Sequence, residues 1–379
     1  MKKALTVAAV GILLLLLAGY IFYVRPHYYL FNGGKIKFTP ELRQELIQGQ
    51  YTQILPYENA LYFCSREGLE KKNLDGSSQW TKPFQMLAPF LKQAGDYLVV
   101  ADILGHDALL FHKNGFLTSV RENFPIVSAW LSESGQLVLV LEADLENRIK
   151  IYNKDGVPLI ERGSILRQDG YPVAAALSDD GLNLATSYVD ALNGDIRSKI
   201  TMFGFADYHE DLDEFIIRAD VYEAELMPEL HYFGQKMLWV IGSRSAYLYP
   251  MSGSKEIYTA PSVIALEGDL LAVHYTEKET LLYTDTKEIG ERRYRLKVYR
   301  ASGELLQEFA FAQAPNLISA QAEEYFVADQ EKISKYQGSR LIWQYPFHER
   351  LDAFYEVAAD RYLLIQPRGY TVWKKAEMD

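Results

Sequence analysis

A turn that ends in glycine recurs along most of this chain, and each turn is followed by a short apolar or aromatic run. Two examples are Asn-Leu-Asp-Gly at 73–76 and Asn-Lys-Asp-Gly at 153–156, and further copies end at 115, 253, 303 and 338. Asp-Gly and Asn-Gly suit tight hairpins because both residues tolerate a positive φ. Most of these glycines lie roughly 35–50 residues apart, which is the length of one four-stranded propeller blade. The period therefore predicts a repeat of small antiparallel sheets.

A second recurring element supports the same fold. Ser-Glu-Ser-Gly at 132–135 and Ser-Asp-Asp-Gly at 178–181 each precede an apolar strand, and they resemble the inner hairpin of WD-repeat-like propellers. Trp80, after the turn at 73–76, resembles the outer-strand tryptophan of quinoprotein-like (PQQ-like) repeats, which docks between neighbouring blades. The resemblance covers most of residues 51–375 and implies an architecture rather than an activity. A two-sheet sandwich is the structural alternative, but it predicts no such long period.

The predicted fold is all-β, a β-propeller of about eight four-stranded blades, with seven as the alternative count. The units lie near 51–82, 88–121, 126–161, 172–218, 222–258, 262–309, 317–345 and 351–375. The last unit holds only three strands, so we expect residues 34–38 to supply its outer strand and close the ring. Residues 39–48 are predicted to form a short helix, with Thr39 as N-cap and Pro40 at its first position.

The N-terminal segment contains 21 residues without a charged side chain, from 4 to 24. Roughly 20 apolar residues cross a bilayer, so we predict a cytoplasmic tail at 1–3, a transmembrane anchor at 4–24, a linker at 25–33 and the propeller domain at 34–379. A cleaved signal peptide is the alternative. The run Leu-Leu-Ala-Gly at 16–19 is followed by Tyr20, which has no thiol to carry a lipid. The expected location is the cell membrane, single-pass, with the propeller outside the cytoplasm.

Charge and composition exclude several classes of function. The 379 residues carry a net charge of -11, and residues 1–37 hold five basic and no acidic side chains, which leaves -16 for the rest. Such a body repels a phosphate backbone, so no nucleic-acid partner is expected. The lone cysteine, Cys64, excludes a disulfide framework. No hydrolase, phosphate-loop or zinc motif occurs, so we expect no catalytic residue, metal or cofactor.

Candidate binding residues follow from the ordering of strands. Propellers commonly meet ligands on the loops that join strands two and three and on those that join successive blades. In this chain several second-to-third loops are acidic, and the predicted binding residues are Asp102, His106, Glu142, Asp144, Asp190 and Asp195. Converging carboxylates would attract a cation or a basic surface. The competing interpretation is that an acidic protein places acids on any solvated loop.

The chain also looks similar to bacterial membrane-anchored, single-pass propeller proteins of unknown function. The predicted function is a non-enzymatic, membrane-tethered platform that binds another envelope protein or a cell-surface component. The alternative is a propeller enzyme, either a quinoprotein-like oxidoreductase or a carbohydrate-active protein. A central pocket lined by histidine, arginine and paired carboxylates would favour the enzyme, whereas a channel plugged by apolar side chains would favour the platform.

Overall fold

The computed structural model describes residues 34–46, 51–143, 146–165, 170–190, 196–206, 215–252, 257–290 and 292–376. These residues form 34 strands, the first two being β1 (Gly34–Lys35) and β2 (Lys37–Glu45). In this part of the chain no helix is long and apolar enough to cross a membrane. The predicted tail, anchor and linker at 1–33 lie outside the described residues. The chain divides into a larger unit, Leu46–Ala312, and a smaller unit, Met1–Glu45 with Gln313–Asp379.

The larger unit contains six sheets, which we number as blades 1 to 6 along the chain. In each blade the strands follow one another in sequence and pair antiparallel. Blade 5 carries two short strands, both paired with its third strand. The strands are, in blade 1, β3 (Gln53–Tyr57), β4 (Ala60–Cys64), β5 (Gly68–Asn73) and β6 (Ser78–Pro83); in blade 2, β7 (Pro89–Ala94), β8 (Tyr97–Asp102), β9 (Asp107–His112) and β10 (Gly115–Arg121); in blade 3, β11 (Ile126–Leu131), β12 (Leu137–Glu142), β13 (Glu146–Tyr152) and β14 (Pro158–Ile165); in blade 4, β15 (Tyr171–Leu177), β16 (Asn183–Asp190), β17 (Arg197–Gly204) and β18 (Ile216–Glu223); in blade 5, β19 (Glu229–Phe233), β20 (Met237–Ile241), β21 (Ser245–Ser252), β22 (Ile257–Tyr258) and β23 (Ser262–Ala265); and in blade 6, β24 (Asp269–Tyr275), β25 (Glu279–Asp285), β26 (Tyr294–Arg300) and β27 (Leu305–Phe311).

The smaller unit contains blades 7 and 8. Blade 7 consists of β28 (Leu317–Gln321), β29 (Glu324–Ala328), β30 (Lys332–Gln337) and β31 (Arg340–Pro346), and blade 8 of β32 (Ala353–Ala358), β33 (Arg361–Gln366), β34 (Gly369–Ala376) and β2. The fold is therefore an all-β propeller of eight blades. The predicted repeat is confirmed, and the alternative of seven blades is wrong.

The hydrophobic pattern of each strand follows from its place in a blade. The second strands β8 and β12 are buried along almost their whole length, because sheets cover them on both faces. The fourth strand β10 is instead half-buried or exposed at every position except Val120. Leu110 of blade 2 and Leu139 of blade 3 belong to one buried cluster. Each such leucine contributes about 1.5–3 kcal/mol by leaving water.

The repeated turns and the aromatic docking behave as the sequence predicts. Gly135 and Gly181 have φ values of 83° and 72°, in the left-handed region that favours glycine. A Cβ added to Gly135 would lie 2.8 Å from the ring of Tyr97. Trp80 stacks on Phe111 of the next blade, with ring centroids 5.9 Å apart. Its predicted place between blades is confirmed.

The N-terminal residues complete blade 8, but not with the predicted segment. Lys37–Glu45 pairs antiparallel with β34, while Gly34 and Lys35 pair in parallel with β31 of blade 7. Phe38 is buried at the start of the strand and stacks on Trp373 with centroids 5.3 Å apart. The expectation that residues 34–38 form the closing strand is therefore wrong in position, although the idea of an N-terminal closing strand is confirmed.

The predicted helix at 39–48 is also wrong, since residues 39–45 belong to β2. Leu42 and Leu46 stand four residues apart, a spacing that suits one face of a helix and equally one face of a strand. Pro40 is tolerated because β2 is an edge strand, and the register shifts between Pro40 and Leu42. Pairing with β34 decides in favour of the strand.

Candidate functional site

The four predicted binding residues that the structure describes, Asp102, His106, Glu142 and Asp190, lie on one face of the larger unit, which we call the loop face. It is formed by the loops between second and third strands together with the loops that join successive blades. In blade 2 these loops are hydrogen-bonded to one another: the Ile103 amide donates to the Ala88 carbonyl at 3.0 Å, and the Leu104 amide donates to the Ile126 carbonyl at 2.7 Å. The face is thus a set of interlocked loops.

Asp102 connects two loops of this face through hydrogen bonds. It ends β8, is 7% exposed, and its Oδ1 accepts hydrogen bonds from the amides of Leu87 and Ala88 at 2.9 and 2.8 Å. A Cβ at Gly105 would lie 2.2 Å from its Oδ2. The carboxylate therefore links the loop between the second and third strands of blade 2 to the loop that precedes the first strand of that blade.

The other predicted residues have separate environments. His106 Nδ1 lies 3.1 Å from the Glu122 carbonyl oxygen, and Asp190 forms an ion pair with Arg197 at 2.6 Å. Glu142 is exposed at the end of β12. Asp144 and Asp195 lie outside the described residues. The four described residues belong to three different blades, and their role in partner binding stays a prediction.

Two buried carboxylates of the same kind were missed by the sequence reasoning. Glu225, 7% exposed, accepts from the amides of Arg244 and Ser245 at 3.0 and 2.9 Å and from the Tyr247 hydroxyl at 2.8 Å. Glu122 is 6% exposed and pairs with Lys150 at 3.0 Å. An acidic residue in a loop between blades is the only sequence signal for this role.

Apolar side chains stand out from the loop face instead. Leu87 is 78% exposed and Leu104 is 70% exposed, and they lie in the two loops that the Asp102 carboxylate links. Leu104 has a φ of 65°, a conformation that costs a leucine of the order of 1 kcal/mol or more. Further exposed apolar residues on the loops and strand ends of this face are Phe90, Tyr171, Ile196, Leu226, Leu271 and Ile289.

A cavity of about 820 Å³ lies within the larger unit, lined by the first strands of blades 2 to 6 together with Tyr57 of blade 1. Its wall is partly aromatic. His231 and Tyr275 stack face to face, with ring centroids 4.0 Å apart, and Trp130 lines another part. Burial, and then the nearby Lys92, lower the pKa of His231 to about 4, so the imidazole is neutral at pH 7.

Charged groups line the cavity at two levels. Lys92 projects from β7, and burial lowers its pKa while Glu229 acts in the opposite direction. Glu133, Asp179 and Glu277 lie on the loops between first and second strands, at one end of the cavity. Burial, followed by the charges of Asp179 and Glu277, raises the pKa of Glu133. The cavity is therefore polar rather than plugged by apolar side chains.

The loops at that end form a connected rim. The Ser134 amide donates to the Asp179 carbonyl at 3.2 Å, and the Asp179 amide donates to the Gly234 carbonyl at 3.4 Å. A Cβ at Gly95 would lie 3.1 Å from the Glu133 carbonyl oxygen. The loops that carry Glu133 and Asp179 are thus hydrogen-bonded to each other, and the Asp179 loop is hydrogen-bonded to the Gly234 loop. Among the described residues no cluster of three or more side chains could hold a metal ion.

Comparisons with known proteins agree with the fold. BamB from Moraxella catarrhalis superposes with a TM-score of 0.52 at 11% identity, covering 89% of this chain and 100% of that chain. The dihydro-heme d1 dehydrogenase NirN gives a TM-score of 0.51 at 10% identity, covering 79% of this chain and 66% of that chain. At such identities the likeness shows the fold alone. None of the curated proteins matches the chain. A model described as a family of unknown function matches residues 38–373, and the chain therefore belongs to that family, DUF5711.

Proposed function

We propose that this chain is a non-enzymatic, membrane-tethered propeller outside the cytoplasm, and that it binds a protein of the cell envelope through its loop face. The observation that carries the proposal is the exposure of Leu87 and Leu104. These two leucines are exposed to solvent on loops that are linked by hydrogen bonds to the Asp102 carboxylate. Exposed apolar groups on rigid loops are typical of protein–protein contact sites.

The conformation of Leu104 strengthens the proposal. A leucine at φ 65° is strained, and the strain persists because hydrogen bonds from its own loop and to Ile126 hold the backbone. Burying each leucine against a partner would contribute about 1.5–3 kcal/mol. Since the chain outside residues 1–37 carries -16, a partner with basic groups around an apolar centre would also associate faster.

Charge substitution on the loop face tests this function. We expect Leu87→Asp with Leu104→Asp to abolish the adduct formed when intact cells are treated with a chemical crosslinker. Leu117→Asp is the matched control, because Leu117 is 44% exposed on the fourth strand of the same blade. An adduct that persists in the double variant and disappears in the control would contradict the proposed surface.

The tether and its orientation need a separate test. The apolar residues 4–24 support an anchor, and the short basic tail before them supports a propeller outside the cytoplasm. Protease added to spheroplasts should then digest the propeller and leave a short membrane-bound fragment. Full protection of the propeller until the membrane is dissolved would contradict external placement.

A second candidate, a propeller enzyme, is favoured by the polar cavity. His231, Lys92 and the rim carboxylates partly match the set expected of a catalytic pocket, with lysine in place of arginine. This candidate predicts turnover that is lost in His231→Asn, without any change in crosslinking at the loop face. The same cavity also supports a more specific inference about its ligand.

A further inference from the structure

The cavity of the larger unit has the size and wall of a small-ligand site. Its volume of about 820 Å³ lies within the range of roughly 300–1,000 Å³ that such sites occupy. First strands supply one part of the wall, including Lys92, His231 and Tyr275, and the loops that follow these strands supply the rest, including Glu133, Asp179 and Glu277. The Tyr275 hydroxyl is buried and forms no hydrogen bond with the described residues. A buried hydroxyl without a partner costs about 1–3 kcal/mol.

Lys92 is the cation of this cavity. It lines the wall on β7, and within the described residues its ammonium has no hydrogen bond and no ion pair. Lys92 is half-buried, and burial lowers the pKa of its unpaired ammonium because the charged form is costly away from water. Glu229 interacts with it only at longer range and lies two residues before His231, about 7 Å farther along β19. An anionic group entering the cavity would therefore meet Lys92 before Glu229.

The rim offers the opposite charge. Glu133, Asp179 and Glu277 bring three carboxylates to one end, and burial with mutual repulsion raises the pKa of Glu133. Burial, followed by Asp180, likewise raises the pKa of Asp179. A bound cation would relieve this repulsion. The two ends of the cavity thus demand ligand groups of opposite sign.

The spacing of these ends sets the length of the ligand. Lys92 stands three residues before Gly95, which packs on Glu133, and three residues of strand rise about 10 Å. An extended peptide spans about 3.3–3.6 Å per residue, so about three residues cover this distance. We propose that the cavity binds a short zwitterionic peptide, with its C-terminal carboxylate on Lys92 and its N-terminal ammonium among Glu133, Asp179 and Glu277.

Isothermal titration of the full chain in detergent with trialanine tests this site. We expect trialanine to bind, and both N-acetyl-trialanine and trialanine amide to bind about tenfold or more weakly, because each has lost one charged contact. Spermidine is the comparison ligand, since it carries positive charge only. Equal affinity for free and doubly blocked trialanine, the absence of binding by trialanine, or tight binding of spermidine with none of trialanine would each overturn the proposal.

Variants assign the two ends separately. Lys92→Met should weaken trialanine but leave trialanine amide unchanged, whereas Glu133→Gln with Asp179→Asn should weaken trialanine but leave N-acetyl-trialanine unchanged. Lys154→Met, at an exposed turn, is the control for loss of one positive charge. Thermal unfolding would confirm that each variant is folded. The assignment would be refuted if Lys92→Met weakened trialanine amide as much as trialanine, or if Glu133→Gln with Asp179→Asn weakened N-acetyl-trialanine as much as trialanine. The loop-face crosslink should persist in Lys92→Met, which separates failure here from failure of the proposed function.

Discussion

Removing the Asp102 carboxylate should loosen the loop face of blade 2. Asp102→Ala would leave the amides of Leu87 and Ala88 without their acceptor at 2.9 and 2.8 Å, in a place where the side chain is only 7% exposed. A hydrogen bond to a charged group contributes about 1.5–3 kcal/mol, so losing two should cost about 3–5 kcal/mol of unfolding free energy. Asp102→Asn retains one acceptor oxygen and should cost about half as much.

Two measurements would show this effect. Urea denaturation followed by tryptophan fluorescence reports the global loss, and hydrogen exchange reports the two amides themselves, which should exchange about a hundredfold faster if about 3 kcal/mol of protection is lost. Glu142→Ala is the control, since Glu142 is exposed at the end of β12 and should change stability by less than about 0.5 kcal/mol. Unaltered exchange at Leu87 and Ala88 in Asp102→Ala would refute this linking role of Asp102.

Three further predictions concern other parts of the larger unit. Burial lowers the pKa of His231 from 6.5 to about 4, so between these pH values the unfolded chain binds a proton that the folded chain does not. The free energy of unfolding should therefore be highest above pH 6.5 and should fall as the pH drops towards 4. In urea titrations at several pH values, His231→Asn should remove about 3 kcal/mol of this loss of unfolding free energy at low pH. Leu104→Asn, which tolerates φ 65°, should not lower the thermal midpoint yet should lose the crosslinked partner; a clear fall in the midpoint would contradict the strain. Burial raises the pKa of Cys64 to about 11, so maleimide should label it only on unfolding, and rapid labelling of the native chain would contradict its burial.

The repeat was predictable because turns and strands are local. Blades 1 to 6 are each built from strands that are consecutive in the sequence, so a glycine turn and the apolar run after it report their structure directly. The least accurate boundary falls at blades 5 and 6, where β23 pairs with β21 instead of opening the next blade. Closure by β2 was predictable in outline only, since Leu42 and Leu46 suit both a helix and an edge strand.

The chemistry of the sites was less predictable because it depends on contacts between blades. The sequence indicates that Asp102 lies next to the loop between the second and third strands of its blade, as the structure has it, but does not reveal that two amides fifteen and fourteen residues earlier donate hydrogen bonds to its carboxylate. The cavity was missed for the same reason: Lys92, His231 and Tyr275 come from three blades, and none has a local signature. Leu87 and Leu104 resemble core leucines until the fold leaves them in solvent.

Site-specific photocrosslinking in intact cells tests the central claim most directly. A benzophenone amino acid would be placed one position at a time on the loop face, at Leu87, Leu104 and Ile289, and on fourth strands, at Leu117, Leu159 and Leu305, all of which are exposed. The loop-face proposal predicts adducts of the same mass from the first three positions and none from the other three. Adducts from the fourth strands alone, or no adduct from any loop-face position, would contradict it.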